Sequence, residues 1–262
     1  MSDKWRFVDS GLCNASYNMA LDEAIAINVR KGNSPPTLRL YGWSLPSVSI
    51  GYSQKMREID SDYCIRKGIP IVRRPTGGRA ILHNDEITYS FSVKTDDGLF
   101  SKGLLDSYKK ISNAFVITFL KIGLSLELRL LRNTRQVSHR SPLCFESLSY
   151  GEITVNNKKI LGSAQKRWTD GLLQQGSIPI SIDRKEIAKV FTLQYPIGEK
   201  LIGLKELLQE LNCEELKNII KVSFEEAFNK TLVPLPLSGE EKSLAHELEN
   251  KKYLSHSWNF IR

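Results

Sequence analysis

The chain has 262 residues, of which 41% are hydrophobic and 25% charged, an ordinary globular composition with enough length to bury a sizeable core. No apolar run approaches the roughly 20 residues of a membrane span, and residues 1–6 lack the apolar centre of a secretory signal, so a cytoplasmic protein with no membrane partner is expected. Cys13, Cys64, Cys144 and Cys213 form no Cys-x-x-Cys pair, and His83, His139, His246 and His256 show no paired ligand spacing, which argues against a disulfide framework and against a metal site.

In chain order, residues 18–31 read as a helix with Ala20, Leu21, Ala24, Ile25 and Asn28 on one side, and with Asp22 and Glu23 near its positive end. Residues 37–43 and 47–52 alternate as strands, and 60–67 form a helix that stops at Gly68. A strand over 69–72 runs into Arg73-Arg74-Pro75-Thr76-Gly77-Gly78-Arg79, and a strand over 87–93 runs out. The spacing of Leu104, Tyr108, Ile111, Phe115, Phe119 and Ile122 predicts a helix over 101–122 whose aromatic stripe belongs to the core. A strand over 125–131, a polar loop over 132–142 and strands over 152–155, 159–164 and 172–180 follow, with a turn at Asn156-Asn157. Helices are expected over 185–191, 204–211, 214–228 and 240–250.

Strands fill the middle of the chain and helices its end. The fold class is therefore α+β, a mixed, largely antiparallel sheet flanked by helices. Residues 1–183 are expected to form one core, and 184–262 a helical C-terminal region packed on it.

The formal net charge is +8, and residues 121–168 carry nine Lys/Arg against three Asp/Glu, a local excess of +6. Such a surface suits an acidic partner: nucleic acid, an acidic carrier protein, or none if the face is merely solvated. No nucleic-acid-binding motif accompanies it.

Two segments concentrate chemistry. Gly77-Gly78 lets the backbone approach a ligand, with Arg74 and Arg79 placed to meet an anion or a carbonyl oxygen; a plain basic hairpin turn is the alternative. Lys158-Lys159-Ile160-Leu161-Gly162-Ser163-Ala164-Gln165 is the second. Cys144 sits in positive surroundings that favour a thiolate, or it is a small buried hydrophobe like Cys64 and Cys213.

These segments together resemble the biotin/lipoate protein ligase superfamily over residues 5–185. The first matches Arg-Arg-x-(Ser/Thr)-Gly-Gly of the lipoate branch, the second its Lys-x-x-Gly-Ser-Ala. The order Cys144-Phe145, Ser149-Tyr150-Gly151-Glu152, Lys159 and Gly162-Ser163-Ala164-Gln165 is similar to the cysteine-dependent octanoyltransferases. Gly151 interrupts their Tyr-Glu adjacency and suggests a bulge. Gln175 stands where many relatives carry histidine. Arg79, where ATP-using ligases often carry a third glycine, fits the octanoyltransferases.

The resemblance implies a mixed sheet flanked by helices. It implies that Cys144 is the nucleophile and that Lys159 binds the acyl carbonyl and its oxyanion. Arg74, Thr76, Gly77, Gly78 and His83 match pocket positions, with His83 a general base or a wall residue. Gly162 and Ser163 admit the acyl chain or only form a tight strand crossing. The implied donor is octanoyl-acyl carrier protein, the acceptor a lysine of a lipoyl-accepting domain, and no cofactor is needed. An ATP-dependent lipoate–protein ligase, a lipoyl/octanoyl amidotransferase between protein domains and a non-catalytic nucleic-acid-binding protein are the alternatives.

Overall fold

The structure is a computed structural model that describes residues 4–96, 98–128, 153–191 and 201–261. The chain opens with strand β1 (Lys4–Cys13), helix α1 (Ala15–Lys31), β2 (Thr37–Trp43), β3 (Ser47–Ile50), α2 (Ser61–Lys67), β4 (Ile71–Arg73), β5 (Ile81–His83) and β6 (Glu86–Lys94). Helix α3 (Leu104–Lys121) follows, then β7 (Glu127–Leu128), β8 (Ile153–Val155), β9 (Lys158–Lys159), β10 (Gly162–Arg167) and β11 (Gly171–Pro179). The last elements are α4 (Arg184–Val190), α5 (Cys213–Phe228), β12 (Thr231–Pro234), α6 (Gly239–Leu248) and α7 (His256–Asn259).

Six strands make the main sheet in the order β10-β11-β6-β2-β1-β12. The pairs from β10 to β2 are antiparallel, while β2–β1 and β1–β12 are parallel. This is the expected mixed, largely antiparallel sheet with helices against it. Two smaller sheets, β4-β3-β5 and β7-β8-β9, complete the strand set of the described residues.

Strand alternation decides which face becomes core and which becomes site. Leu38 and Leu40 of β2, with Ile87, Tyr89, Phe91 and Val93 of β6, enter the main hydrophobic cluster with residues of α3 and α5. There Phe91 packs 5.2 Å from Trp5 and 6.0 Å from Phe228, measured between ring centroids. The intervening Arg39, Tyr41 and Ser90 point the other way, where Asp22 of α1 receives all three. One face of the sheet is therefore aromatic and the opposite face is polar.

Helix α1 begins earlier than its apolar pattern suggests. Asn14 caps it by accepting from the Tyr17 amide at 2.7 Å, and Gly32 ends it at φ 81°. Asp22 consequently lies in the middle of the helix, not at its positive end. It is fully buried because it serves Arg39. The expected inner side of the helix, Ala20 to Asn28, is buried.

Several other expectations change. The Arg-rich stretch is not a hairpin, because its flanking strands do not pair with each other: β4 lies parallel to β3 on one side, and β5 antiparallel on the other. Strand β5 separates the stretch from β6. Residues 204–211 form only a short 3-10 turn at Leu204–Glu206. Residues after 184 also supply a strand: β12 joins the main sheet beside β1. Arg6 of β1 donates to Glu241 of α6 through Nη1 at 2.8 Å and again through Nη2. The Asn156-Asn157 turn does form, with φ of 50° and 59°, between the antiparallel β8 and β9. The expected loop at 132–142 and the Gly151 bulge lie outside the described residues.

Candidate functional site

The Arg-rich turn is built around two buried guanidinium groups with different duties. Arg73 is fully buried. Its Nη1 reaches the carbonyls of Gly51 at 2.8 Å and Gln54 at 2.8 Å, and its Nη2 reaches Asn259 O at 3.1 Å. The C-terminal helix completes the cage: Asn259 Oδ1 accepts from the Arg73 amide at 2.8 Å, and Trp258 Nε1 donates to the Arg73 carbonyl at 2.8 Å.

Arg74 gathers the glycine turn itself. Nε and Nη2 donate to Gly77 O at 3.2 and 2.8 Å, and Nη2 also to Arg79 O at 2.6 Å. Nη1 donates to Ser49 O at 3.1 Å and to Ser49 Oγ at 3.0 Å. An arginine can only donate, so this guanidinium holds carbonyls that a tight turn would otherwise leave unsatisfied. The turn crosses the end of β3 at very close range. A Cβ on Gly51 would lie 1.9 Å from Gly78 O, and Gly78 itself takes φ 84°.

Beside this turn the main sheet and the β4-β3-β5 sheet enclose a small open pocket. Arg74, His83, Gly162 and Ser163 line it, together with Ser49, Trp43, Met19 and Gln175. Of the expected site residues, these four are thus brought together. Thr76, Gly77 and Gly78 stand behind the lining, joined to it through Arg74 and Gln175. Glycine at 176 is demanded by packing, since a Cβ there would meet Tyr89 Cε1 at 2.2 Å.

His83 is buried in the wall, stacked on Trp43 with ring centroids 4.0 Å apart. Its Nδ1 lies 2.8 Å from Glu86 Oε1, and its Nε2 lies 2.7 Å from Ser49 Oγ. Burial pushes the Glu86 carboxyl up, but the His83 charge and hydrogen bonds from His83, Thr88 and Ser177 outweigh it and hold the group below the usual glutamate value. Ser49 and Glu86 were not legible as site residues. The only hint was their position at alternating places on strands facing the turn.

Gln175 links the turn to the interior. Its Nε2 donates to Asp22 Oδ2 at 2.7 Å, and its Oε1 accepts from Thr76 Oγ1 at 2.8 Å. Asp22 also takes Arg39 Nη1 at 2.7 Å, Tyr41 OH at 2.8 Å and Ser90 Oγ at 2.6 Å. A glutamine can donate and accept at once, which is what a position between a carboxylate and a hydroxyl requires. Ser163 is fixed by Tyr89, whose hydroxyl oxygen lies 2.7 Å from Ser163 Oγ.

Lys159 is not a surface lysine. It is 1% exposed, held in β9 opposite Thr154 and bridged to Leu201. It does not belong to the lining of the pocket. Cys144 lies outside the described residues, as do Arg135 and Arg140. Among the described residues no cluster of His, Cys, Asp and Glu is arranged to hold a metal ion, and no helix is long and apolar enough to cross a membrane.

The site thus joins a mixed sheet to a glycine turn beside a pocket between two sheets. Comparison with known proteins narrows the class. Residues 14–225 match the lipoyl protein ligase A/B catalytic domain. Octanoyltransferase LipM of Geobacillus kaustophilus is 38% identical over 98% of both chains, and that of Bacillus subtilis 33% identical over 99% of both. Among solved structures, a lipoate-protein ligase A bound with ATP superposes with a TM-score of 0.82 at 24% identity over 98% of both chains. A bipartite lipoate protein ligase from Thermoplasma acidophilum superposes at 0.81 and 23% identity, over 98% of this chain and 96% of that one. The chain belongs to the lipoyl protein ligase A/B catalytic domain family.

Proposed function

We propose that this protein is an octanoyltransferase that moves an octanoyl group from acyl carrier protein to a lysine of a lipoyl-accepting domain in the cytoplasm. The observation that carries the reading is end-to-end similarity, at 33–38% identity, to proteins named octanoyltransferase LipM. The solved ligases share the fold at under 25% identity and do not argue for ATP chemistry here.

In this reading the thiolate of Cys144 attacks the donor thioester carbonyl, and the carrier's sulfur leaves with the electron pair. An acyl-enzyme thioester results. The acceptor lysine then attacks, an amide forms, and Cys144 is regenerated as a thiol. Covalent catalysis divides the transfer into two easier steps. Lys159 supplies a cation to the oxyanion of each tetrahedral intermediate. The donor is already activated, so neither ATP nor a metal is required. The acyl chain occupies the pocket beside Gly162 and Ser163, with Arg74 in its wall and Thr76, Gly77 and Gly78 behind that wall.

The test is transfer itself. Octanoyl-acyl carrier protein, an apo lipoyl domain and the enzyme are mixed without ATP, and the lipoyl domain is weighed. A mass gain of one octanoyl group is expected. Modification only when ATP and free octanoate or lipoate are supplied would instead make the protein a ligase.

A further inference from the structure

The pocket opens along one seam. Of the described residues that line it, only Ser163 and Ala164 of β10 are not buried. Gly78, the exposed tip of the glycine turn, lies against Ala164, where an added Cβ would stand 3.4 Å from the alanine methyl. The mouth is therefore where the turn meets β10. Side chains alternate along a strand, so Lys166 emerges on the same face as Ala164, one step farther out. Tyr52 stands on the turn's side of the seam: its amide donates to Thr76 O at 2.9 Å, and its ring is exposed.

A row of alternating cations and rings passes this mouth. Lys166 Nζ lies 5.2 Å from the ring centroid of Tyr52 and 5.8 Å from that of Trp168, within reach of a cation–π attraction to both. Arg30, at the end of α1, stands 4.5 Å over Trp168. In the other direction Tyr52 packs 5.8 Å from Trp258 of α7, and Lys252 lies 4.0 Å over Trp258. The two outer cations are neutralised, Arg30 by Asp170 at 2.7 Å and Lys252 by Glu23 at 2.7 Å. Lys166 is different: among the described residues no carboxylate pairs with it. A half-buried ammonium between two rings has lost part of its water, and it attracts a carboxylate more strongly than a lysine in bulk solvent does. The rings beside it are the residue type enriched in protein interfaces. A protein that presents a carboxylate completes this site.

Reach decides which protein. The octanoyl group of acyl carrier protein rides on a long prosthetic arm, so the body of the carrier can rest well away from the mouth. An acceptor lysine has only its own four-carbon stem, so the acceptor's backbone must come down onto the rim itself. Lys166 repels a bare ammonium arriving there, and a carboxylate beside the target lysine cancels that repulsion. We propose that Lys166, Tyr52 and Trp168 are the docking surface for the lipoyl-accepting domain, with Lys166 pairing to a carboxylate that flanks the target lysine. The proposal rests on the octanoyltransferase reading for the identity of the acceptor. Lysines that lack such a neighbour are turned away by the same charge.

The test separates acceptor from donor. Lys166→Glu and Lys166→Gln are compared with the wild type for kcat/KM of the apo lipoyl domain and of octanoyl-acyl carrier protein, which in a two-step transfer report the two half-reactions separately. For the lipoyl domain a loss of about tenfold or more is expected in Lys166→Glu, where attraction becomes repulsion, and a loss of about two- to fivefold in Lys166→Gln. For the donor both variants are expected to stay within about twofold of the wild type, since a rim charge acts on the partner that meets it. Equal losses with both substrates, a loss confined to the donor, or no loss overturn the proposal; a loss confined to the donor makes the row a carrier dock. Titration of apo lipoyl domain into the enzyme, followed by calorimetry, reads the same difference without turnover: a weaker Kd in Lys166→Glu supports the dock, and equal Kd values overturn it. A wild type that binds the domain through Lys166 but transfers no octanoyl group overturns the octanoyl reading alone. If Lys166→Glu does not fold, Lys166→Gln carries both measurements.

Discussion

Replacing Asp22 with asparagine perturbs the interior without changing shape. Asp22 Oδ1 accepts from Arg39 Nη1 and Ser90 Oγ, and Oδ2 accepts from Tyr41 OH and Gln175 Nε2, all between 2.6 and 2.8 Å. An asparagine amide can accept through only one of its two atoms. Whichever way it turns, its NH₂ faces the donors of one oxygen. The neutral amide also leaves the buried Arg39 guanidinium, with a side chain of zero exposure, without its counter-charge. Breaking a buried pair by removing one partner costs about 3–5 kcal/mol. For a chain of this size each kcal/mol moves the midpoint by roughly 2–4 °C, so Tm is expected to fall by about 6–20 °C. Urea unfolding monitored by tryptophan fluorescence gives the free energy directly. Adding Arg39→Met is expected to recover part of the loss, because the orphaned charge goes with it. A loss below about 1 kcal/mol, or strict additivity of the two substitutions, would refute the view that this pair and its satellites act as one unit.

Three further substitutions probe the frame of the site. Gly176→Ala is expected to lower stability by about 1–3 kcal/mol and to depress transfer, because its Cβ would stand 2.2 Å from Tyr89 Cε1; unchanged unfolding and turnover would contradict it. Trp258→Ala removes the donor to the Arg73 carbonyl and is expected to cost about 2–4 kcal/mol of packing and hydrogen bonding and to raise KM for the acyl donor, measured by initial rates; a stability loss with KM untouched would separate α7 from the turn. For Glu241, burial raises the carboxyl, but hydrogen bonds from Arg6, Ser238 and Ser34 and the Arg6 charge bring it below its ordinary value. Its stabilisation is therefore present above the unfolded carboxyl value of about 4.3 and lost as pH falls through the folded one. Glu241→Gln is expected to be less stable at pH 7, with the gap to the wild type closing in acid; a gap that stays constant from pH 7 to pH 3 would count against the pair.

The fold class was legible because alternation in residues 87–93 and helical spacing in 104–122 are strong signals, and both elements carry the core. The signature turn was legible as a place but not as a shape. Nothing local in Arg73 to Arg79 reveals that β4 and β5 flank β3 instead of each other, which depends on long-range pairing. Thr231–Pro234 reads poorly as a strand since it holds a Pro and ends in a loop, and only β1 makes it one. Arg74, His83, Gly162 and Ser163 were named because they stand in the two segments that resemble the lipoate branch of the superfamily. Ser49, Glu86 and Asp22 were missed because a serine or glutamate on a strand and an aspartate on a helix look like surface positions until their partners are known.

The central claim is covalent acyl transfer through Cys144. The most direct measurement is the intact mass of the enzyme after incubation with octanoyl-acyl carrier protein alone, without ATP and without acceptor, followed by peptide mapping. The expected result is one octanoyl group on Cys144 in the wild type, none in Cys144→Ala, and discharge when an apo lipoyl domain is added. An unmodified wild type that nevertheless transfers octanoyl, or a Cys144→Ala variant with full activity, would contradict it.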